Sequence, residues 1–239
     1  MKKPQPDFQA LWQNLRRACA FEQMPLQSAQ ELGQICGPKE IEFLIQALLQ
    51  LVDADLEDDP GDLSDEYWRL RRTLTEALVA AGSQVIQPLL CNLNSPNLSA
   101  VGYFAEALGR LQAPEALEPL LALYQRHADQ GLRWSVITAL GDLNDSRALP
   151  LLKQTLLAPP ELNRGWWIRL TAQALGKLQA PEVLPIFEHI LTQDADWFAR
   201  LGIVEGLLSF HPTPEIRRLL ERGKRDSDSR VAELARRSI

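Results

Sequence analysis

Apolar positions recur along this chain at helical spacing, and the pattern itself repeats. Val101, Phe104, Ala105, Leu108 and Leu111 fall at i, i+3, i+4, i+7 and i+10, which is one stripe of a helix. After "QAP", Leu117, Leu120, Leu121 and Tyr124 give the same stripe again. Ala113 precedes a proline and is pushed out of helical geometry, so the first helix stops there. Pro114 suits the first position of the next helix, where its missing N–H is not needed, and Glu115 favours the positive end of that helix. The phrase "EALGRLQAPEALEPLLAL" from Glu106 returns as "QALGKLQAPEVLPIFEHI" from Gln173. It encodes a helix stop, a tight turn and a helix start. Elsewhere "NDSRAL" offers Asp145 or Ser146 as an N-cap, and "HPTPEI" offers Thr213.

The leucine of each "ALG"-like site marks the period. The markers are Leu32, Leu78, Leu108, Leu140, Leu175 and Leu207, separated by 46, 30, 32, 35 and 32 residues. Neither helix of a unit can bury its stripe alone, so the units must stack. The expected fold is an all-α, right-handed solenoid of about six helical hairpins with one concave and one convex surface. Residues 1–24 read as an N-terminal cap helix and 25–225 as six repeats with an acidic insertion at 53–66. Residues 226–239 read as a C-terminal cap helix whose "DSDSRVA" echoes "DADWFARLGIV". A second proline recurs early in the second helices, at Pro88, Pro119, Pro150 and Pro185, and is expected to bend them slightly.

Composition narrows the function classes. The 239 residues are 46% hydrophobic and 23% charged, as in a folded globular protein, and the net charge of -6 does not suit a nucleic-acid partner. "MKKPQPDFQA" has no apolar core after its lysines, and "LIQALLQLV" is far short of a membrane span. The expected setting is the cytoplasm, without membrane attachment. Cys19, Cys36 and Cys91 are widely spaced and form no C-x-x-C pair, which suggests reduced, buried thiols rather than disulfides or a zinc site. His127, His189 and His211 are never at i, i+4, and no Walker A, G-x-G-x-x-G or G-x-S-x-G motif occurs. No catalytic residue, metal ligand or required cofactor is expected from these patterns.

Departures from the repeat are where function is grafted onto a solenoid. The first, "VDADLEDDPGDLSDEYW", resembles a calcium loop only in its acidity. Asp58 stands where the glycine belongs and Ser64 where the closing glutamate belongs, so a solvated loop or an acidic docking segment fits better. The second, "APPELNRGWWIRL", kinks and then starts a helix with adjacent tryptophans; these point about 100° apart, so one packs between repeats and the other faces out. The third is a strip of aromatic and arginine residues near the starts of first helices. Its members are Tyr67, Trp68, Arg72, Arg133, Trp134, Trp166, Trp167, Arg169, Trp197 and Arg200. Such a strip grips a flat conjugated ligand with carboxylates, or a protein surface; the alternative is packing between repeats.

The pattern A-x-A-L-G-x-L-x-x-P-x-x-L-x-P-L resembles HEAT repeats in the short form seen in the phycobilisome bilin-lyase family. The resemblance runs from about residue 25 to near the end of the chain. It implies a cyanobacterial protein-binding scaffold serving phycobiliprotein or phycobilisome assembly or turnover. Its alternative implication is a bilin lyase subunit that holds a phycobilin while a client cysteine attacks it. The implied partner is another protein, either a phycobiliprotein or a second HEAT-repeat subunit, and the implied ligand is a phycobilin. The strip residues would then take its propionates and pyrrole rings.

Overall fold

The computed structural model describes residues 8–20, 25–50 and 63–237. Their regular structure is entirely helical. The α-helices run α1 (Phe8–Ala20), α2 (Leu26–Ile35), α3 (Pro38–Gln50), α4 (Leu63–Ala80), α5 (Ile86–Asn92), α6 (Leu98–Arg110) and α7 (Leu117–Arg126). They continue with α8 (Gln130–Leu143), α9 (Leu149–Leu157), α10 (Arg164–Lys177), α11 (Leu184–Gln193), α12 (Trp197–Leu208), α13 (Pro214–Gly223) and α14 (Ser229–Arg236). Helices α2 to α13 pair into hairpins in which the even-numbered member comes first. All six marker leucines lie on first helices and are fully buried. Most of the acidic insertion lies outside the described residues, as does the side chain of Cys19.

The turn inside each hairpin follows from local chemistry. In the repeated phrase the glutamine takes the left-handed conformation, with φ of 50° at Gln112 and 53° at Gln179. Asn144 takes the same role at φ 55°. Gln179 is further anchored: its amide donates to the carbonyls of Gly176 and Ser209, and its carbonyl accepts from the His211 N–H at 2.7 Å. The turn of one repeat is thereby tied to the turn of the next. Short 3₁₀ turns follow at Gly82–Val85, Pro114–Ala116, Ser146–Ala148 and Pro181–Val183. The recurrent second prolines then fall in the first turn of each α-segment, where a missing N–H breaks no bond of the helical ladder. Asp145 and Thr213 both serve as N-caps, accepting from the backbone of Arg147 and Ile216.

The first helices stack directly on one another, from α2 through α14, and each second helix packs against the first helix of the next unit. The glycine of the "ALG" sites makes this contact possible. A Cβ at Gly109 would lie 2.5 Å from the Ala139 carbonyl oxygen, and one at Gly141 would lie 2.7 Å from the Ala174 Cα. Gly33 and Gly176 meet the backbones of α4 and α12 in the same way. No two second helices among the described residues approach so closely.

Two of the cysteines can be placed. Cys36 is buried, donates to the Leu32 carbonyl, and has its thiol pushed up to about 11 by burial and then by Glu40. Cys91 departs from the expected burial: it is exposed on the outer side of α5.

Candidate functional site

The structure divides the aromatic and arginine strip into two parts. The larger part braces repeats against each other. Arg133 donates to the carbonyls of Tyr124 and His127 and lies 4.8 Å from the Tyr124 ring centre. Arg169 makes a two-point pair with Glu205, which Gln173 also reaches at 2.8 Å. Its guanidinium lies over Trp166 at 5.0 Å and Phe198 at 5.4 Å. Arg200 forms two bonds with Asp226, at 2.8 and 2.9 Å, and donates to the carbonyls of Asp194 and Ala195.

The tryptophans follow the same logic. Trp134 sits 6.4 Å from Trp166 and 6.0 Å from Trp167, Trp166 sits 5.2 Å from Phe198, and Phe198 sits 5.4 Å from Trp197. Arg230 closes the row over the Trp197 ring. This ladder crosses α8, α10, α12 and α14 and gains from ring contact at each step. Trp167 is 1% exposed and packs between repeats, whereas Trp166 is 44% exposed, as expected for adjacent residues on a helix.

The smaller part, Trp68 and Arg72, faces a groove instead. The Tyr67 side chain lies outside the described residues. The groove has a volume of about 940 Å³ and runs across α4, α6 and α8 on the first-helix face. Its walls include Trp68 and Arg72 from α4, Tyr103 and Glu106 from α6, and Ser135 from α8. Gly102 and Gly131, one helical turn before Glu106 and Ser135, leave room in the floor. Asn97 and Asp129 cap α6 and α8, accepting from Ala100 and Leu132, and so fix the helix starts that bound it. Trp68 is 51% exposed and the Arg72 side chain 43% exposed. Arg72 lies 5.9 Å from the Trp68 ring centre, and 3.8 Å from a Glu106 oxygen. Unlike Arg133, Arg169 and Arg200, it carries no tight pair among the described residues.

Glu106 is the unusual charge here. Burial holds its carboxyl above the ordinary range; the Ser135 hydroxyl at 2.8 Å and the nearby Arg72 only partly offset this. Tyr103 beside it is also raised, again chiefly by burial. A carboxyl raised on folding binds its proton more tightly in the native state, so native stability falls as pH rises from the unfolded value through the folded one. Glu106→Gln is therefore expected to raise the melting temperature at neutral pH. That gain should vanish below about pH 4, where both states are protonated. A neutral-pH melt no higher than wild type would contradict the assignment.

Sequence reasoning missed Glu106 and Ser135 as site residues. A signal existed: two positions before each marker leucine stands a polar residue, namely Gln30, Glu76, Glu106, Thr138, Gln173 and Glu205. Four of the six, Glu76, Glu106, Gln173 and Glu205, reach into a neighbouring unit, as Glu76 does to Arg110 at 2.7 Å. Among the described residues no group of three or more His, Cys, Asp and Glu is placed to hold a metal ion. No single helix among them is long and apolar enough to cross a membrane.

Residues 86–169, which include two walls of the groove, match the family described as HEAT repeats. Over 146 residues the chain is 26% identical to phycocyanobilin lyase subunit beta of Thermosynechococcus vestitus. That similarity covers 61% of this chain and 58% of the relative, so it spans little more than half of the relative's length.

Proposed function

We propose that this HEAT-repeat protein is a binding scaffold in phycobiliprotein assembly, which holds a phycobilin along the first-helix groove and presents it to a phycobiliprotein. The observation that carries this is the division of the strip. Three arginines are spent on bracing, while an indole and a half-exposed guanidinium remain turned toward one groove. Its volume, about 940 Å³, lies within the roughly 300–1,000 Å³ of small-molecule sites. Likeness to a phycocyanobilin lyase subunit supports the choice of pigment. In this reading the chain supplies position and the client supplies the nucleophilic thiol; among the described residues no cysteine or histidine lines the groove. The groove is open along one side, which leaves room for the client, or for a second HEAT-repeat subunit as in a two-subunit lyase.

Titration with phycocyanobilin tests the reading. The purified protein is expected to change the pigment's absorbance spectrum, because a held tetrapyrrole is more extended than a free one. Trp68→Ala should weaken that change without loss of helical circular dichroism. No spectral change with tens of micromolar pigment would exclude binding stronger than about -6 kcal/mol and end the proposal.

A further inference from the structure

We propose that Glu106 is the ligand-selecting group of the groove: its open oxygen Oε2 accepts the ring N–H groups of a flat tetrapyrrole while Arg72 pairs with one of the pigment's carboxylates. This rests on the reading of the groove as a pigment site and adds the orientation and chemistry of recognition.

The carboxylate of Glu106 is under-satisfied. Its Oε1 takes the Ser135 hydroxyl at 2.8 Å. The nearest cation to Oε2 is Arg72 at 3.8 Å, beyond hydrogen-bond reach. Arg110, the other guanidinium nearby, is committed to Glu76 by two bonds of 2.7 Å. Asp142 adds further negative charge from α8. A carboxylate can accept about four hydrogen bonds, and the Glu106 side chain is 21% exposed, so Oε2 is open to a ligand from the groove. Ser135 is the only hydrogen-bond donor to Glu106 among the described residues. The space around it is kept clear: Gly102 lies one turn away, and a Cβ there would press on the Ser135 Oγ at 3.0 Å.

The charges choose the class of occupant. An acceptor and a guanidinium stand side by side beneath an exposed indole. A simple cation is favoured by Glu106 and repelled by Arg72. A simple dicarboxylate meets the reverse. A ligand that suits both carries N–H donors and an anion a short distance apart, with a flat conjugated face for Trp68. An open-chain tetrapyrrole has this arrangement, with N–H groups converging in the plane of the rings and propionate carboxylates hanging from the edge.

The test uses phycocyanobilin and its dimethyl ester with the full chain and three variants. Glu106→Gln presents an amide N–H₂ to the ligand's N–H groups, and should bind both pigments at least tenfold more weakly while melting no lower than wild type. Arg72→Gln should weaken the free acid about tenfold yet bind the ester as wild type does. Glu118→Gln, the same change of side chain at an exposed position of α7 outside the groove, should stay within about threefold of wild type for both. Equal affinity of Glu106→Gln and wild type would overturn the assignment and leave the groove as a pigment site. A loss in Glu118→Gln as large as in Glu106→Gln would assign the effect to the net charge of the protein and overturn it too. Absence of any pigment binding by wild type would remove this proposal together with the reading beneath it.

Discussion

Gly109→Val is expected to destabilise the protein by about 3 kcal/mol or more, at the upper end of the usual range for overpacking. Two effects compete. Removing a glycine from a helix interior gains up to about 1 kcal/mol of backbone propensity, and less for a β-branched residue. Against it stands contact with backbone rather than with a movable side chain. The first added carbon would lie 2.5 Å from the Ala139 carbonyl oxygen and 2.6 Å from its Cα. Neither atom can yield without moving α8 away from α6, which would open every contact between those units. Gly131→Ala is the control: its Cβ would meet nothing closer than 3.4 Å, so chemical denaturation should find it neutral or slightly stabilising. Equal effects at the two positions would mean that the close helix contact is not what the glycine serves.

Arg200→Ala is expected to cost about 3–5 kcal/mol at neutral pH, the range for breaking a buried ion pair from one side. The arginine side chain is 10% exposed and that of Asp226 5%. Alanine would leave the Asp226 carboxylate buried and strip donors from the carbonyls of Asp194 and Ala195. Burial alone would raise the Asp226 carboxyl, but the hydrogen bonds from Arg200 and from the Asp228 backbone outweigh it and hold it below its ordinary value. Stability from such a group is present above the unfolded pKa near 3.9 and is lost as pH falls through the lower folded value. The cost of Arg200→Ala should therefore shrink in strong acid. A cost under about 1 kcal/mol at pH 7, typical of surface pairs, would show that the contact is solvated.

The repeat, the hairpins and their caps were legible in the sequence because each depends on residues a few positions apart. The two adjacent tryptophans separated as their helical angle requires. What Arg164, Arg169 and Arg200 do was not legible, because their carboxylate partners lie roughly one repeat away. Arg164 meets Asp194 at 2.6 Å, and Arg200 meets Asp226. The D-x-D motif shared by "DADW" and "DSDS" holds both roles: the first aspartate takes the arginine of the preceding unit, and the second, Asp196 or Asp228, caps the next helix. Local pattern showed that the two stretches echo each other but neither role. Nor could it show that the glycine after four of the six marker leucines is where two backbones touch. Trp68 and Arg72 read in the sequence like the other strip residues; only the groove's depth between α4 and α8 distinguishes them. Cys91 misled because the stripe of a short second helix buries little beyond Leu89.

The unequal spacing of the two helix layers has a mechanical consequence. Where first helices meet backbone to backbone, there is almost nothing left to compress, and pulling them apart would break the tightest seams in the molecule. That layer acts as the neutral fibre of a bent beam: its length stays constant while the second helices spread or close as curvature changes. The groove crosses one seam of each kind: between α6 and α8, where Gly109 seats one backbone on the other, Glu106 and Ser135 stay tied, whereas between α4 and α6, where Val79 stands in place of the glycine, Trp68 and Arg72 have room to shift when a partner wraps or straightens the stack.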